Sequence, residues 1–286
     1  VNKSHGPFAA LLCTGEFFAE EEAGIGEADD DGPLASEPLS EYISGRKRVP
    51  IPTYFICGKN YSHVEQTDMS SVELCPNLTF LGNRGIADVV GLRVAFLSGF
   101  FPRNASGAME HGESRALIAS HDDSKPVDVL LTVQWPLHIH VNAPKPPPPE
   151  VQLGTMGTSV VANVASKLRP RYHFVGCEMA YYERAPYVNP PGTIATRFLA
   201  LGRVGGVPKS LYAANITPID SMSEDERNKP PPATATATPF APQAPPSQAR
   251  RRREPEDSGG AGFQRWSIPS DGLVEQGHGQ AKRRRG

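Results

Sequence analysis

Short, continuous apolar runs recur through the first 220 residues of the chain, and four of them end at a glycine. These four runs span residues 8–14, 53–57, 92–98 and 172–175. A fifth run, residues 127–133, is followed by Gln134, Trp135 and Pro136. Continuous rather than alternating apolarity is typical of strands that are buried on both faces, so the pattern predicts an α/β fold.

Helical periodicity is clearest over residues 158–168, where Val161, Val164, Ala165 and Leu168 are spaced i, i+3, i+4 and i+7. Residues 113–120 show a less regular helical pattern. Residues 196–201 and 211–216 are predicted to be a late pair of strands, joined by a glycine-rich turn at 202–208.

The composition changes near residue 220. Before it, two stretches are predicted to be surface loops: the acidic, glycine-rich residues 19–41, and residues 143–149 with four consecutive prolines. Residues 229–248 are almost entirely Pro, Ala and Thr, a composition that buries too little apolar surface to offset its ordering entropy. We therefore predict a domain over residues 1–219 and a disordered, basic tail over residues 220–286.

The net charge of −2 hides a segregation of charge along the 286 residues. Residues 16–31 carry eight carboxylates and no Lys or Arg, so the chain as a whole does not have the charge of a nucleic-acid binder. The tail contains two basic clusters that resemble nuclear-localisation signals: Arg250, Arg251, Arg252 and Arg253, and Lys282, Arg283, Arg284 and Arg285. These clusters favour a nuclear protein.

We expect neither a membrane anchor nor a secretory leader, since no apolar run approaches about 18 residues and no basic segment precedes an apolar core. The four cysteines, Cys13, Cys57, Cys75 and Cys177, lack the spacing of paired ligands. Cysteines in apolar runs behave as small buried hydrophobes, which favours a reducing compartment.

Loops that follow parallel strands converge at one edge of a sheet, and that edge is where α/β proteins bind their ligands. A two-metal hydrolase would place Asp, Asn and His side chains there. Only Glu16 and Asn60 are suitable ligands at these positions, with Cys177 and Glu178 as poorer substitutes. Two ligands on separate loops do not make a binuclear site, so the sequence predicts a binding domain rather than a catalyst.

Several separated segments resemble the CwfJ-type (CWF-nineteen-like) splicing factor family. They are residues 11–18 (LLCTGEFF), 51–54 (IPTY), 77–82 (NLTFLG), 91–99, 128–132 (DVLLT) with Trp135 and Pro136, 167–187 (KLRPRYHFVGCEMAYYERAPY), 196–205 (TRFLALGRVG) and 211–216 (LYAANI). The resemblance covers about residues 1–218.

This resemblance implies a metallophosphoesterase-like layered sandwich related to the RNA lariat debranching enzymes, with the first strand expected before Val1. It also implies which positions correspond to the metal ligands of those enzymes, and here they are degenerate: Glu16, Lys59, Asn60, Val133, Cys177 and Met179. No cofactor is therefore expected. Nor does the tail contain the zinc-ligand cysteines and histidine-triad-like motif with which the family usually continues, since His278 is its only histidine.

The function that the resemblance implies is that of a noncatalytic pre-mRNA splicing factor. It would act in late spliceosome disassembly and intron-lariat turnover, in the nucleus, by binding or assisting the lariat debranching enzyme. Spliceosomal proteins and intron-lariat RNA are further expected partners, and no membrane is involved. Two alternatives remain open: a residual manganese- or iron-dependent phosphoesterase that uses Glu16, Asn60, His138 and His140, and a generic protein-interaction scaffold.

A mixed aromatic and basic segment is the candidate surface for RNA or a partner, because such mixing suits backbone contact with base stacking. Its residues are Arg169, Arg171, Tyr172, Tyr181, Tyr182, Arg184 and Tyr187. In the competing interpretation, the tyrosines pack a sheet edge and the arginines pair with Glu178 and Glu183. His138 and His140 are expected to be solvated loop residues, and His173 to be a core histidine.

Overall fold

Two β-sheets packed face to face form the centre of the fold. The computed structural model describes residues 6–18, 39–58, 71–103 and 112–240. The first sheet has the order β1-β2-β4-β3, in which β3 is antiparallel and the others are parallel. Its strands are β1 (Leu11–Cys13), β2 (Thr53–Phe55), β3 (Val72–Cys75) and β4 (Leu78–Phe80).

The second sheet has the order β12-β10-β11-β8-β7-β6-β5, and β9 pairs with β11. Its central strands β6, β7, β8 and β11 are parallel. The strands are β5 (Arg84–Val89), β6 (Leu92–Leu97), β7 (Val129–Thr132), β8 (Tyr172–Val175), β9 (Tyr182–Glu183), β10 (Tyr187–Val188), β11 (Ala195–Ala200) and β12 (Thr236–Ala237). The five apolar runs are thus strands with their following turns, and the α/β prediction is confirmed.

Helices cover the outer faces of both sheets. They are α1 (Leu39–Ile43), α2 (Gly112–Ser120), α3 (Ser159–Leu168) and α4 (Glu224–Arg227), with a 3-10 turn at Ile219–Ser221. Apolar residues of α2 and α3 pack on Ala95, Leu97 and Leu130 of the second sheet. Leu39 of α1 packs on the first sheet. The order of layers is therefore helix, sheet, sheet, helix.

The apolar layer between the sheets is built from alternate residues of the same strands. Val94, Phe96, Val129 and Leu131 face the first sheet, whereas their neighbours Ala95 and Leu130 face the helices. Both faces are therefore buried along residues 94–97 of β6 and along β7, which explains why these stretches are largely apolar.

Helix α3 has the boundaries that its sequence predicts. Thr158 is the N-cap: its Oγ1 accepts a hydrogen bond from the Val160 N–H and donates one to the Pro102 carbonyl. The helix ends where Arg169 adopts a left-handed conformation, with φ of 48°. The buried side chains include Val161, Val164 and Leu168, the predicted stripe.

The prediction of a strand over residues 211–216 is wrong. β11 is already paired on both sides, with β8 along one edge and with β9 and β10 along the other, so no ladder position is free for a following strand. Instead the segment runs outside the sheets, with Tyr212 against Phe174 and Ile216 against the layer between the sheets.

The predicted boundary at residues 219–220 is also misplaced, because described residues up to Phe240 belong to the same compact unit. Ile219 is buried, and its N–H donates to Asp128. Thr236 pairs with Tyr187 in β10, and Phe240 packs on two apolar clusters. Residues 220–240 therefore belong to the domain despite their polar, proline-rich composition. The two basic clusters of the predicted tail lie outside the described residues.

Candidate functional site

The loops that follow the strands of both sheets meet at one end of the sandwich. The Thr14 hydroxyl, after β1, donates to the Thr132 carbonyl at 2.6 Å. The Gly176 N–H, after β8, donates to the Val133 carbonyl at 3.4 Å, and the Gly99 N–H, after β6, donates to the Cys57 carbonyl at 2.9 Å. The loops therefore converge as the strand directions predict. We call this end of the fold the convergence site.

Two glycines allow the loops after β1 and β8 to touch through their backbones. A Cβ at Gly176 would lie 2.6 Å from the Thr14 carbonyl oxygen, and a Cβ at Gly15 would lie 2.8 Å from the Gly176 carbonyl oxygen. Gly15 also has a φ of +95°, which other residues rarely adopt. The loops after β1 and β8 are therefore in direct backbone contact.

Three of the degenerate ligand positions place non-ligating side chains at the convergence site. Val133 is 1% exposed and lies in the apolar layer between the sheets, where Cys177 packs on the same cluster. Burial, and secondly the charge of Glu178, raise the pKa of the Cys177 thiol to about 12. Met179 is 61% exposed and has a φ of 53°.

Glu16 is exposed at the rim of the same site. Its carboxylate lies against Gly58, where a Cβ would collide with Glu16 Oε1. The pKa of Cys57 rises to about 12 through burial first and the charge of Glu16 second. Lys59 and Asn60, the remaining degenerate positions, lie outside the described residues.

These side chains do not fit a divalent metal pair. Val133 has no donor atom, and the Cys177 side chain packs on the same apolar cluster as Val133. Among the described residues, no group of three or more His, Cys, Asp or Glu side chains is placed to hold a metal ion.

The histidine pair after the Trp135–Pro136 turn is split between surface and interior. His138 is exposed with a φ of 67°, and His140 is half-buried, with ring centroids 6.4 Å apart. Burial, and then the neighbouring His138, lower the pKa of His140.

His173 is a core histidine, as predicted. It is fully buried, and its Nε2 lies 2.8 Å from the Thr132 hydroxyl. Burial lowers its pKa to about 3, so the ring is neutral.

The aromatic and basic segment is not the continuous surface that its composition suggests. Tyr182, Arg184 and Tyr187 are buried, at 5%, 2% and 0% exposure, and cannot contact RNA or a partner in the folded chain. Tyr182 stacks on Trp135 with ring centroids 5.7 Å apart. Tyr187 packs edge-on against Phe240. In the competing interpretation the tyrosines pack on a sheet, and this is correct for Tyr182 and Tyr187.

Arg184 satisfies its buried charge with backbone carbonyls rather than carboxylates. Its guanidinium donates to the carbonyls of Ile139 at 2.7 Å, Val141 at 2.8 Å and Ala185 at 2.7 Å. It also donates to the Thr236 hydroxyl at 3.0 Å, and its guanidinium carbon lies 4.8 Å from the centre of the Tyr187 ring. Arg184 thus joins the turn after β7 to β12.

The other four members of the segment are half-buried. Arg169 pairs with Asp123 at 2.8 Å and Arg171 with Asp128 at 3.3 Å, rather than with the predicted Glu178 and Glu183. Tyr181 is the residue that bonds Glu183, through its hydroxyl at 3.0 Å.

Tyr172 lines a cleft at the opposite end of β8 from the convergence site, together with residues that the sequence did not single out. Among these are Arg197, Arg227 and Lys229. The last two belong to the stretch predicted to be a tail, so no local pattern connected them with β8. Within the described residues, no helix is long and apolar enough to cross a bilayer.

Comparison with known proteins finds relatives that are about one third identical to this chain over most of its length. The chain is 32% identical over 295 residues to zinc finger CCCH domain-containing protein 59 of Oryza sativa subsp. japonica, covering 98% of this chain and 46% of that protein. It is 32% identical to zinc finger CCCH domain-containing protein 64 of Arabidopsis thaliana, covering 94% of this chain and 46% of that protein. It is 33% identical over 253 residues to CWF19-like protein 1 of Homo sapiens, covering 81% of this chain and 43% of that protein.

The chain thus spans somewhat under half the length of these curated relatives. No family model matches it. One solved structure overlaps 58% of the chain with a TM-score of 0.39 and 16% identity, which is too distant to bear on the fold.

Proposed function

Because this chain belongs to the CwfJ, or CWF19-like, family, we propose that it is a noncatalytic nuclear factor in pre-mRNA splicing. In this proposal the domain has a metallophosphoesterase-like fold and acts in late spliceosome disassembly and intron-lariat turnover. It does so by binding the lariat debranching enzyme, among spliceosomal proteins, through the convergence site. The helix-sheet-sheet-helix layering supports the metallophosphoesterase-like fold.

One observation carries the noncatalytic part of the proposal. At the place where a phosphoesterase holds its metals, Val133 and Cys177 share an apolar cluster and the backbones at Gly15 and Gly176 are in contact. Apolar packing and backbone contact at this position support a noncatalytic domain. The same end also presents the exposed side chain of Met179, a flexible apolar residue of a type that is common at protein-binding surfaces.

A binding assay with purified debranching enzyme tests the proposal. We expect a complex, and a change in the rate at which that enzyme opens a 2′–5′ branch. Met179→Asp should weaken the complex. Val90→Asp is the matched control, because Val90 is also an exposed apolar residue with positive φ but lies in the turn between β5 and β6.

Failure to form a complex, together with an unchanged debranching rate, would refute the proposal. Equal weakening by Met179→Asp and Val90→Asp would refute the choice of the convergence site as the docking surface.

A further inference from the structure

A cleft of about 440 Å³ lies at the amino ends of β8 and β11, at the far end of these strands from the convergence site. Most of its walls come from three parts of the chain. Tyr172 and Arg171 belong to the start of β8, residues 194–197 to the start of β11, and residues 226–232 to α4 and the segment after it. A volume of this size is in the range of small-ligand sites, which is roughly 300–1,000 Å³.

The charged side chains in the cleft are mostly cations. Arg171, Arg197, Arg227 and Lys229 line it, with Glu226 as the carboxylate among its lining residues. Glu226 is occupied locally, because the N–H and hydroxyl of Ser223 both donate to it at 3.1 Å. Arg171 is fixed in place by Asp128 and by the Thr217 carbonyl at 2.6 Å.

Arg197 and Arg227 are exposed, and neither side chain makes an ion pair or hydrogen bond with any other residue in the described part of the chain. They come from two different elements, β11 and α4, yet line one cleft. Cations that converge without a protein partner are available to an external anion, and arginine is especially suited to phosphate.

The cleft also has an aromatic wall with a fixed orientation. The Tyr172 ring lies parallel to the Phe174 ring, at an interplanar angle of 2° with centroids 6.1 Å apart. The guanidinium carbon of Arg171 lies 5.7 Å from the centre of the Tyr172 ring. Ile194 and Met222 add apolar surface nearby. An aromatic ring held beside several cations is the combination that binds a base and its phosphate together.

We propose that this cleft binds a nucleotide of single-stranded RNA. The base lies against Tyr172 and the apolar side chains, and the backbone phosphates contact Arg197, Arg227 and Lys229. The choice of RNA rests on the proposed splicing role. The site itself lies away from the convergence site, and its test contains no debranching enzyme, so the two proposals can fail separately.

Salt dependence of RNA binding by the whole chain is the first test. A fluorescent single-stranded oligoribonucleotide is titrated at several salt concentrations, and the slope of log K against log salt is measured. Each lost phosphate contact should reduce the slope by about 0.7. We expect this reduction in Arg197→Ala and in Arg227→Ala. Arg203→Ala is the matched control, because Arg203 is exposed but follows the other end of β11.

Photo-crosslinking locates the RNA independently of the basic clusters elsewhere in the chain. An oligonucleotide carrying 4-thiouridine should crosslink to peptides that contain Tyr172 or Met222, and Arg197→Glu should abolish that crosslink. Tyr172→Phe should retain affinity, whereas Tyr172→Ala should weaken binding about five-fold or more. If Tyr172→Ala does not fold, the Arg197 and Arg227 variants still decide the question.

Three results would overturn the proposal. The first is an equal reduction of the salt-dependence slope in Arg203→Ala and Arg197→Ala, with crosslinks confined to peptides that contain neither Tyr172 nor Met222. The second is binding of uridine monophosphate as tight as that of the oligonucleotide, which would assign the cleft to free nucleotides. The third is a glutamate-rich peptide that binds more tightly than RNA and depends on Arg197, which would assign the cleft to an acidic protein partner.

Discussion

Replacing Arg184 by Met should destabilise the domain strongly, because its guanidinium makes four hydrogen bonds inside the fold. A hydrogen bond to a charged group contributes about 1.5–3 kcal/mol. Val141 and Ala185 are half-buried, so water can replace part of what their carbonyls lose, whereas Ile139 is fully buried. We therefore expect the free energy of unfolding to fall by roughly 3–5 kcal/mol.

Urea denaturation followed by far-UV circular dichroism measures this change. Arg184→Lys keeps the charge but not the planar set of donors, so it should recover only part of the loss. Arg203→Met, at an exposed arginine, should change stability by less than about 0.5 kcal/mol. If Arg184→Met left stability unchanged while weakening RNA binding, Arg184 would be a surface residue that contacts RNA, not a buried residue that joins β12 to the turn after β7.

Three further predictions concern the ends and the interior of the domain. A chain that stops after residue 219 should be less stable than one that stops after residue 240 by about 2 kcal/mol or more, because Phe240 packs on two apolar clusters; equal urea midpoints would contradict this. His173 has a pKa lowered to about 3 by burial, so its contribution is complete above the unfolded value of about 6.5 and is lost as pH falls toward 3. Between pH 6.5 and 4.5 the wild type should therefore lose about 2–3 kcal/mol more than His173→Gln, and parallel pH profiles would show that the ring is not buried neutral. Gly176→Ala should cost about 1–3 kcal/mol because its Cβ would meet a carbonyl oxygen at 2.6 Å, whereas Gly154→Ala has nothing within 4 Å and should be neutral in the same melts.

The strands and the main helix could be predicted because their signals are local. A run buried on both faces is continuously apolar, as in β6 and β7, and α3 combines a 3.6-residue stripe with a threonine cap. The convergence of loops could also be predicted, since parallel strands bring their carboxyl ends to the same edge.

The conformation and packing of residues 211–240 could not be predicted, because they depend on contacts with residues distant in sequence. Residues 211–216 have strand-like composition but no free edge, since β11 is paired on both sides. Residues 220–240 lack apolar periodicity and are held by a few anchors such as Ile219 and Phe240. Composition describes average burial over a segment, and a few anchors do not change that average.

The misassigned surface has a similar cause. A charged residue between tyrosines indicates a solvent-facing patch, yet Arg184 is enclosed by carbonyls of a turn more than 40 residues earlier. Burial in the structure alternates along this segment: Tyr182 and Arg184 are buried, whereas Glu183 between them is exposed. Successive side chains of an extended segment point to opposite faces, so the fold rather than the residue type decides which of them is buried.

The central claim is that this domain binds rather than cleaves, and a combined metal and hydrolysis measurement tests it most directly. The purified chain is loaded with manganese or iron, desalted, analysed for bound metal, and incubated alone with a 2′–5′ branched RNA. The alternative of a residual phosphoesterase would use Glu16, Asn60, His138 and His140. We predict substoichiometric metal and no hydrolysis above background, with Glu16→Ala behaving like the wild type. Stoichiometric metal together with turnover that Glu16→Ala abolishes would contradict the account.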